Sequence, residues 1–141
     1  MDHVAIMRPS WKLIPKILSG TKTIESRWYL TRRAPWNGIS RGDRVFFKDS
    51  GKPVVAAADV ERVAQCTIES LIDAKDIVNR YGKAICLVND DPATWQRLPR
   101  YAILIHLAQP RRLAAPFMIN KHGFGSATAW ITVPSIDAIR L

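Results

Sequence analysis

What this chain lacks narrows it first. No stretch of its 141 residues approaches the roughly 20 consecutive apolar side chains that a membrane-spanning helix requires. Its start, MDHVAIMRPSWK, has no long apolar run behind a basic segment, so the expectation is a cytoplasmic protein with no secretory leader and no membrane partner. Cysteine is scarce: Cys66 and Cys86 are the only two, with no CxxC pair. That argues against a disulfide framework and a cysteine zinc site, and both thiols are expected as small buried hydrophobes. The three histidines have no metal-ligand spacing, so neither a metal nor a cofactor is expected, and His3 and His106, inside apolar runs, are expected to be structural. Repeats, low-complexity tracts and linkers are absent as well. The expectation is one domain over 1–141, long enough to bury a core without staples.

Acidic residues are also few. Twelve Asp+Glu face 21 Lys+Arg, a net charge of +9 and a pI near 10.1. Such an excess favours polyanionic partners, nucleic acid before acidic membrane surfaces.

Short elements alternate along the chain. His3–Met7 reads as a strand, and Ser10 as the cap of a helix carrying Trp11, Ile14, Ile17 and Leu18, with Pro15 tolerable only in its first turn. Gly20 ends that helix. Thr23–Tyr29 is rich in β-formers. RVFFKDSGKPVVAAADV reads as a hairpin of Arg44–Lys48 with a long return from Val54 to about Ala64. The apolar spacing predicts a helix over Thr67–Tyr81 that Gly82 stops. Asp90, Asp91 and Pro92 open a loop or short helix carrying Trp95, Tyr101–Leu107 (YAILIHL) is the clearest strand, and Ala129–Val133 the last. Five to seven strands with helices between them predict an α+β fold: a small, mixed but mostly antiparallel β-barrel with flanking helices.

GTKTIESRW, residues 20–28, places three full charges on a segment that otherwise reads as buried strand. Strand alternation puts Ile24, Ser26 and Trp28 on one face and Glu25, Arg27 and Tyr29 on the other. Lys22 precedes the strand and is free to turn toward Glu25. The three charges either brace one another or line a site.

In this order, Gly20, Lys22, Glu25 and Arg27, then Gly42-Asp43, then Lys48-Asp49-Ser50-Gly51, the chain resembles the ASCH domain of the PUA-like superfamily, over roughly residues 4 to 65. The resemblance implies a compact barrel with a cleft beside the GxKxxExR segment. It also implies a partner that is RNA, another single-stranded nucleic acid or a modified nucleoside or nucleotide. A branch of short bacterial ASCH proteins resembles amidohydrolases that deacetylate acetylcytidine, and RNA cleavage is associated with the family. That branch has a threonine three residues after the motif lysine, where this chain has Glu25. A carboxylate there favours the protonated form of Lys22, which suits gripping an anion better than removing a proton. Binding is therefore the leading expectation, with a metal-independent hydrolase (acetylcytidine amidohydrolase-like, or a ribonuclease) as the alternative. Lys22 and Glu25 are its candidate catalytic pair.

Further candidate contacts follow from residue type. Arg27 and Tyr29 flank the charged pair. Arg32, Arg33 and Trp36 interleave base and aromatic as single-stranded nucleic acid requires. Lys48 and Ser50 are placed to meet a sugar-phosphate. In NKHGFGS the glycines allow close backbone approach, with Phe124 for stacking and Lys121 and Ser126 for polar contacts.

Overall fold

The computed structural model describes Met1 to Leu141. Its strands are β1 (Asp2–Met7), β2 (Ile24–Tyr29), β3 (Arg44–Asp49), β4 (Val54–Thr67), β5 (Tyr101–Phe117) and β6 (Trp130–Val133). Two α-helices join them, α1 (Leu13–Leu18) and α2 (Leu71–Ile85), with single 3-10 turns at Pro9–Trp11, Pro92–Thr94 and Ile136–Ala138. The strands form one sheet in the order β2-β5-β4-β3-β1-β6. Only the β1–β3 pair is parallel. This is the expected α+β, mostly antiparallel sheet, curled into a half-barrel. No helix is long and apolar enough to cross a membrane.

The curl comes from β4 and β5, whose pairing shifts register at three places. At one of them Ala57 pairs Arg111 and Asp59 pairs Ala108, so Ala58 alone opposes Gln109 and Pro110. Gln109 takes the left-handed conformation (φ 50°) there. A bulge admits a proline that a regular ladder excludes, and it tightens the local twist. The polar QPRR stretch is therefore a kink within one strand. The sequence reading ended β5 at Leu107, ten residues short of Phe117.

Both faces of the sheet are covered. Ala5, Val45, Phe47, Ala58, Ile103 and Ile105 point into the curl, where α1 closes the core with Leu13, Ile14 and Ile17. Val4, Ile6 and Phe46 point the other way, under Phe117, Ile119, Ile131, Ile136 and Ile139. β5 is covered twice: Ile103 and Ile105 face the curl while Ala102 and Leu104 pack toward α2. Burial on both faces makes YAILIHL a continuous apolar run.

Local starts and stops differ from expectation in two places. Ser10 caps nothing: it lies in a 3-10 turn, and α1 begins after Lys12, a left-handed residue (φ 53°). Pro15 does fall in the first turn. α2 runs four residues later than the spacing predicts, because Thr67 still belongs to β4. Gly82 lies inside that helix, where a Cβ would stand 3.3 Å from a Val78 methyl. The stop is the left-handed Cys86 (φ 59°), whose N–H returns to the Gly82 and Lys83 carbonyls.

Candidate functional site

β2 is an edge strand, paired only with β5. Leu107 N–H donates to the Thr23 carbonyl, which sets the phase: residues 25 and 27 turn their backbone groups toward β5, and 24, 26 and 28 turn theirs outward. Charged side chains take two of the outward groups. Lys22 Nζ donates to the Ile24 carbonyl (2.8 Å), and Glu25 Oε1 accepts from Ser26 N–H (2.8 Å). An open edge is thereby capped without a further strand.

The same lysine fastens α2. Lys22 Nζ donates to the Ile85 carbonyl (2.5 Å) in the last turn of that helix, and Thr23 N–H donates to its Ala84 carbonyl (2.9 Å). Unpaired carbonyls at a helix C-terminus attract a cation. The third ammonium hydrogen faces Glu25 Oε1 at 3.6 Å. Lys22 is 2% exposed and Glu25 3% exposed, so this ion pair is buried. A neutral amine would spend both hydrogens on the two carbonyls and present its lone pair to the carboxylate. The geometry calls for the ammonium.

Arg27 lies beyond Glu25 on the same strand face. Its guanidinium stands 5.0 Å from the centre of the Trp130 ring and donates to the Ala129 carbonyl (3.2 Å). It therefore ties β2 to the lead-in of β6, the two edges of the open sheet. Its approach to Glu25 is loose, 3.9 Å, rather than a bidentate grip. Two polar atoms are left without partners here, Glu25 Oε2 and Arg27 Nε, both out of contact with solvent. An unpaired buried carboxylate oxygen is costly, which marks the position as one where an incoming donor is favoured.

A cleft of about 410 Å³ opens along this edge. Lys22 and Glu25 form part of its floor, Trp28 and Trp95 one side, and Trp11, Leu30, Leu87 and Val88 the mouth. The Trp28 and Trp95 rings meet edge to face, 5.1 Å between centres. Their indole N–H groups are already used, on Ser26 Oγ (2.9 Å) and the Asn89 carbonyl (3.2 Å). Arg97 is the other cation on the lining. The cleft is apolar and aromatic with a polar floor, whereas the reading of the sequence anticipates a basic one.

The structure divides the remaining candidates among three places. Tyr29 lines the cleft and donates to the Ala34 carbonyl (2.9 Å); burial, chiefly, raises its phenol pKa above the ordinary value. Arg32 and Arg33 are exposed outside the cleft, their guanidinium groups over the rings of Tyr101 and Tyr29. Trp36 folds back edge to face on Tyr101 and packs against the main core. Lys48, Lys121 and Phe124 belong to the opposite face of the sheet, with exposed Ser50 and Ser126 in the loops beside them. His3 is buried among Asp43, Thr132 and Trp130, its Nε2 2.8 Å from Asp43 Oδ2. That contact makes Gly42-Asp43 a structural turn.

Trp11, Trp95, Asn89 and Arg97 went unread as site residues. Trp95 carried a usable signal, since a tryptophan in the polar stretch DDPATWQR has no periodic apolar face to join. Trp11 shows none, because it lies within an apparent helix pattern.

No protein-family model and no curated protein matches this sequence. Solved structures do match the fold. The crystal structure of ASCH from Zymomonas mobilis covers 97% of this chain and 90% of its own, with TM-score 0.65 at 20% identity. A variant of it with one tyrosine changed to phenylalanine gives TM-score 0.68 at 20% identity, covering 97% and 93%. One with a serine changed to alanine gives 0.67 at 20%, covering 97% and 91%. At this identity the likeness establishes the fold, which is that of the ASCH domain.

Proposed function

We propose that the cleft beside β2 binds a single nucleobase, either a modified nucleoside or nucleotide or one base of a single-stranded RNA. The observation that carries this reading is Glu25, on the floor of an aromatic cleft, whose Oε2 accepts no hydrogen bond and meets only the Arg27 guanidinium, at 3.9 Å. An exocyclic amine or amide N–H of a base would supply the missing donor, while the ring lies against Trp28 and Trp95. The volume suits such a ligand, since small-molecule sites begin at roughly 300 Å³. Lys22 acts through Glu25: its hydrogens are committed to Ile24, Ile85 and Glu25, and it holds the carboxylate in place. The +9 charge supplies attraction to the phosphate backbone.

The test is a tryptophan-fluorescence titration with cytidine, acetylcytidine and uridine. Quenching saturates for a base bearing an exocyclic N–H, and Glu25→Gln weakens it by about tenfold, the worth of one hydrogen bond to a charged group. Equal affinity for uridine and cytidine, or no change in Glu25→Gln, refutes this reading.

The same free oxygen favours one alternative. Glu25 Oε2 could take a proton from water beside a bound acyl group or phosphodiester, with the Lys22 ammonium opposite the developing negative charge. That hydrolase consumes acetylcytidine or labelled RNA with no metal added and loses turnover in Glu25→Gln. Neither substrate being consumed sets it aside.

A further inference from the structure

β3, three strands from β2, holds a second buried lysine whose surroundings are of another kind. Lys48 follows Phe46 by two on β3, so both side chains point to the face that Phe117, Ile131 and Phe124 cover. Lys48 is 4% exposed as a residue, yet it forms no ion pair and no side-chain hydrogen bond. Burial, and then the adjacent Lys121 ammonium, push its pKa below the ordinary lysine value; Asp49 opposes this only in part. As the next residue on a strand, Asp49 turns its side chain to the other face.

The neighbouring loop is built of donors. Lys121 Nζ reaches the Ser126 and Thr128 carbonyls at 3.4 and 3.5 Å, long contacts that a better acceptor would displace. Gly123 and Gly125 take left-handed conformations (φ 88° and 84°), turning the chain sharply around Phe124. The N–H groups of Gly125, Ser126 and Ala127 donate to nothing within the protein. Successive backbone N–H groups at a left-handed turn make an anion-binding concavity. The Lys121 ammonium acts on Lys48 as a like charge, and neither lysine forms an ion pair, so a bound anion would relieve their repulsion.

We propose that Lys48, Lys121 and the Gly123–Ala127 loop form an anion site for a phosphate oxyanion, three strands across the sheet from β2 and its aromatic cleft. The group could belong to free phosphate or to the backbone of an RNA whose base occupies the cleft. The strap before β6 lies between the two sites: Arg27 holds the Ala129 carbonyl, and Lys121 the Thr128 carbonyl beside it. The site does not depend on the nucleobase reading.

The test follows the backbone amides of Gly123, Gly125 and Ser126 by NMR while inorganic phosphate replaces chloride at constant ionic strength. The expected result is saturable shifts confined to this loop, weakened about tenfold or more in Lys48→Met and in Lys121→Met. Lys48→Arg, which restores a cation on a long stem, recovers binding. Thermal melts of each variant confirm that it is folded. A single-stranded RNA titrated across a salt series separates the sources. Should RNA use the site, Lys48→Met lowers the salt slope by about 1. Should the wild-type slope persist while the phosphate shifts are lost, the site serves free phosphate. Shifts that never saturate, or that survive unchanged in Lys48→Met, overturn the proposal. Because nucleosides carry no phosphate, the fluorescence titration reads the cleft alone, so the two readings fail separately.

Discussion

As whole residues Lys22 and Lys48 are exposed to nearly the same degree, 2% and 4%, at strands set three apart in one sheet, and they do opposite things. The ammonium of Lys22 meets two carbonyls and a carboxylate, which join β2, the end of α2 and Glu25 into one unit. Lys48 meets no acceptor and stands beside a second cation. Burial by itself therefore says nothing about the role of a lysine. What decides is whether its hydrogens are spent inside the fold or left over for something else. In the first region the unspent polar atoms are Glu25 Oε2 and Arg27 Nε, sealed from solvent; in the second it is the Lys48 cation, which has no acceptor within the protein.

The largest expected effect comes from breaking the first arrangement. Lys22→Met strands the Glu25 carboxylate in the interior and frees two carbonyls, and should cost about 3–5 kcal/mol in urea unfolding. Adding Glu25→Gln removes the stranded charge and should restore part of that loss. If the double variant is no more stable than the single one, the pair is not coupled as described.

His3 gives an intermediate effect and a third kind of buried ionisable group, one kept neutral. Burial pulls its pKa below 6.5, and Asp43 opposes this only in part. Between the folded pKa and 6.5 the unfolded chain binds a proton that the folded one does not, so stability falls as pH drops below about 6.5. Asp43, whose carboxyl is held below its ordinary 3.8 despite burial by His3 and by Ser40 N–H, adds its own loss only below that value. His106 is shifted in the same direction as His3, by burial and by Arg62. Unfolding measured from pH 7.5 to 5 should therefore show a decline that His3→Gln makes shallower and that His3→Gln with His106→Gln abolishes.

The smallest effect belongs to Lys48. Its pKa lies below the ordinary value, so in the folded state it loses its proton before the unfolded chain does, and stability gains from it as pH rises toward 10.5. Lys48→Met should leave the melting point at neutral pH unchanged or slightly raised, within about 1 kcal/mol, and should lack that alkaline gain. A loss of several kcal/mol would mean that Lys48 has a partner and resembles Lys22 after all.

The first region was more legible in the sequence than the second. GTKTIESRW announced itself, because charges in a β-rich run conflict with burial, and strand alternation correctly paired Glu25 with Arg27 on one face. That Lys22 would reach Ile85, 63 positions away, left no local trace. The aromatic cleft was legible only in pieces. Trp28 read as core, Trp36 as the residue for stacking, and Trp95 as a passenger in a loop, while the fold tucks Trp36 onto Tyr101 and gathers Trp11, Trp28 and Trp95. Lys48 and NKHGFGS were noted separately, and nothing in one strand and one loop 73 residues apart says that they meet.

Composition, periodicity and turn residues by themselves determined the α+β class, the hairpin of β3 and β4, the two faces of β2 and a strong positive charge. These properties depend on backbone preference and on which side chains share a face, and both are set over a few residues. The tertiary structure alone decided which charges are spent and which remain. A carbonyl at the end of α2, the curl made by a bulge at Gln109 and a loop folded over Phe46 bring together groups far apart in the chain. The energy of a buried charge depends on all its neighbours at once.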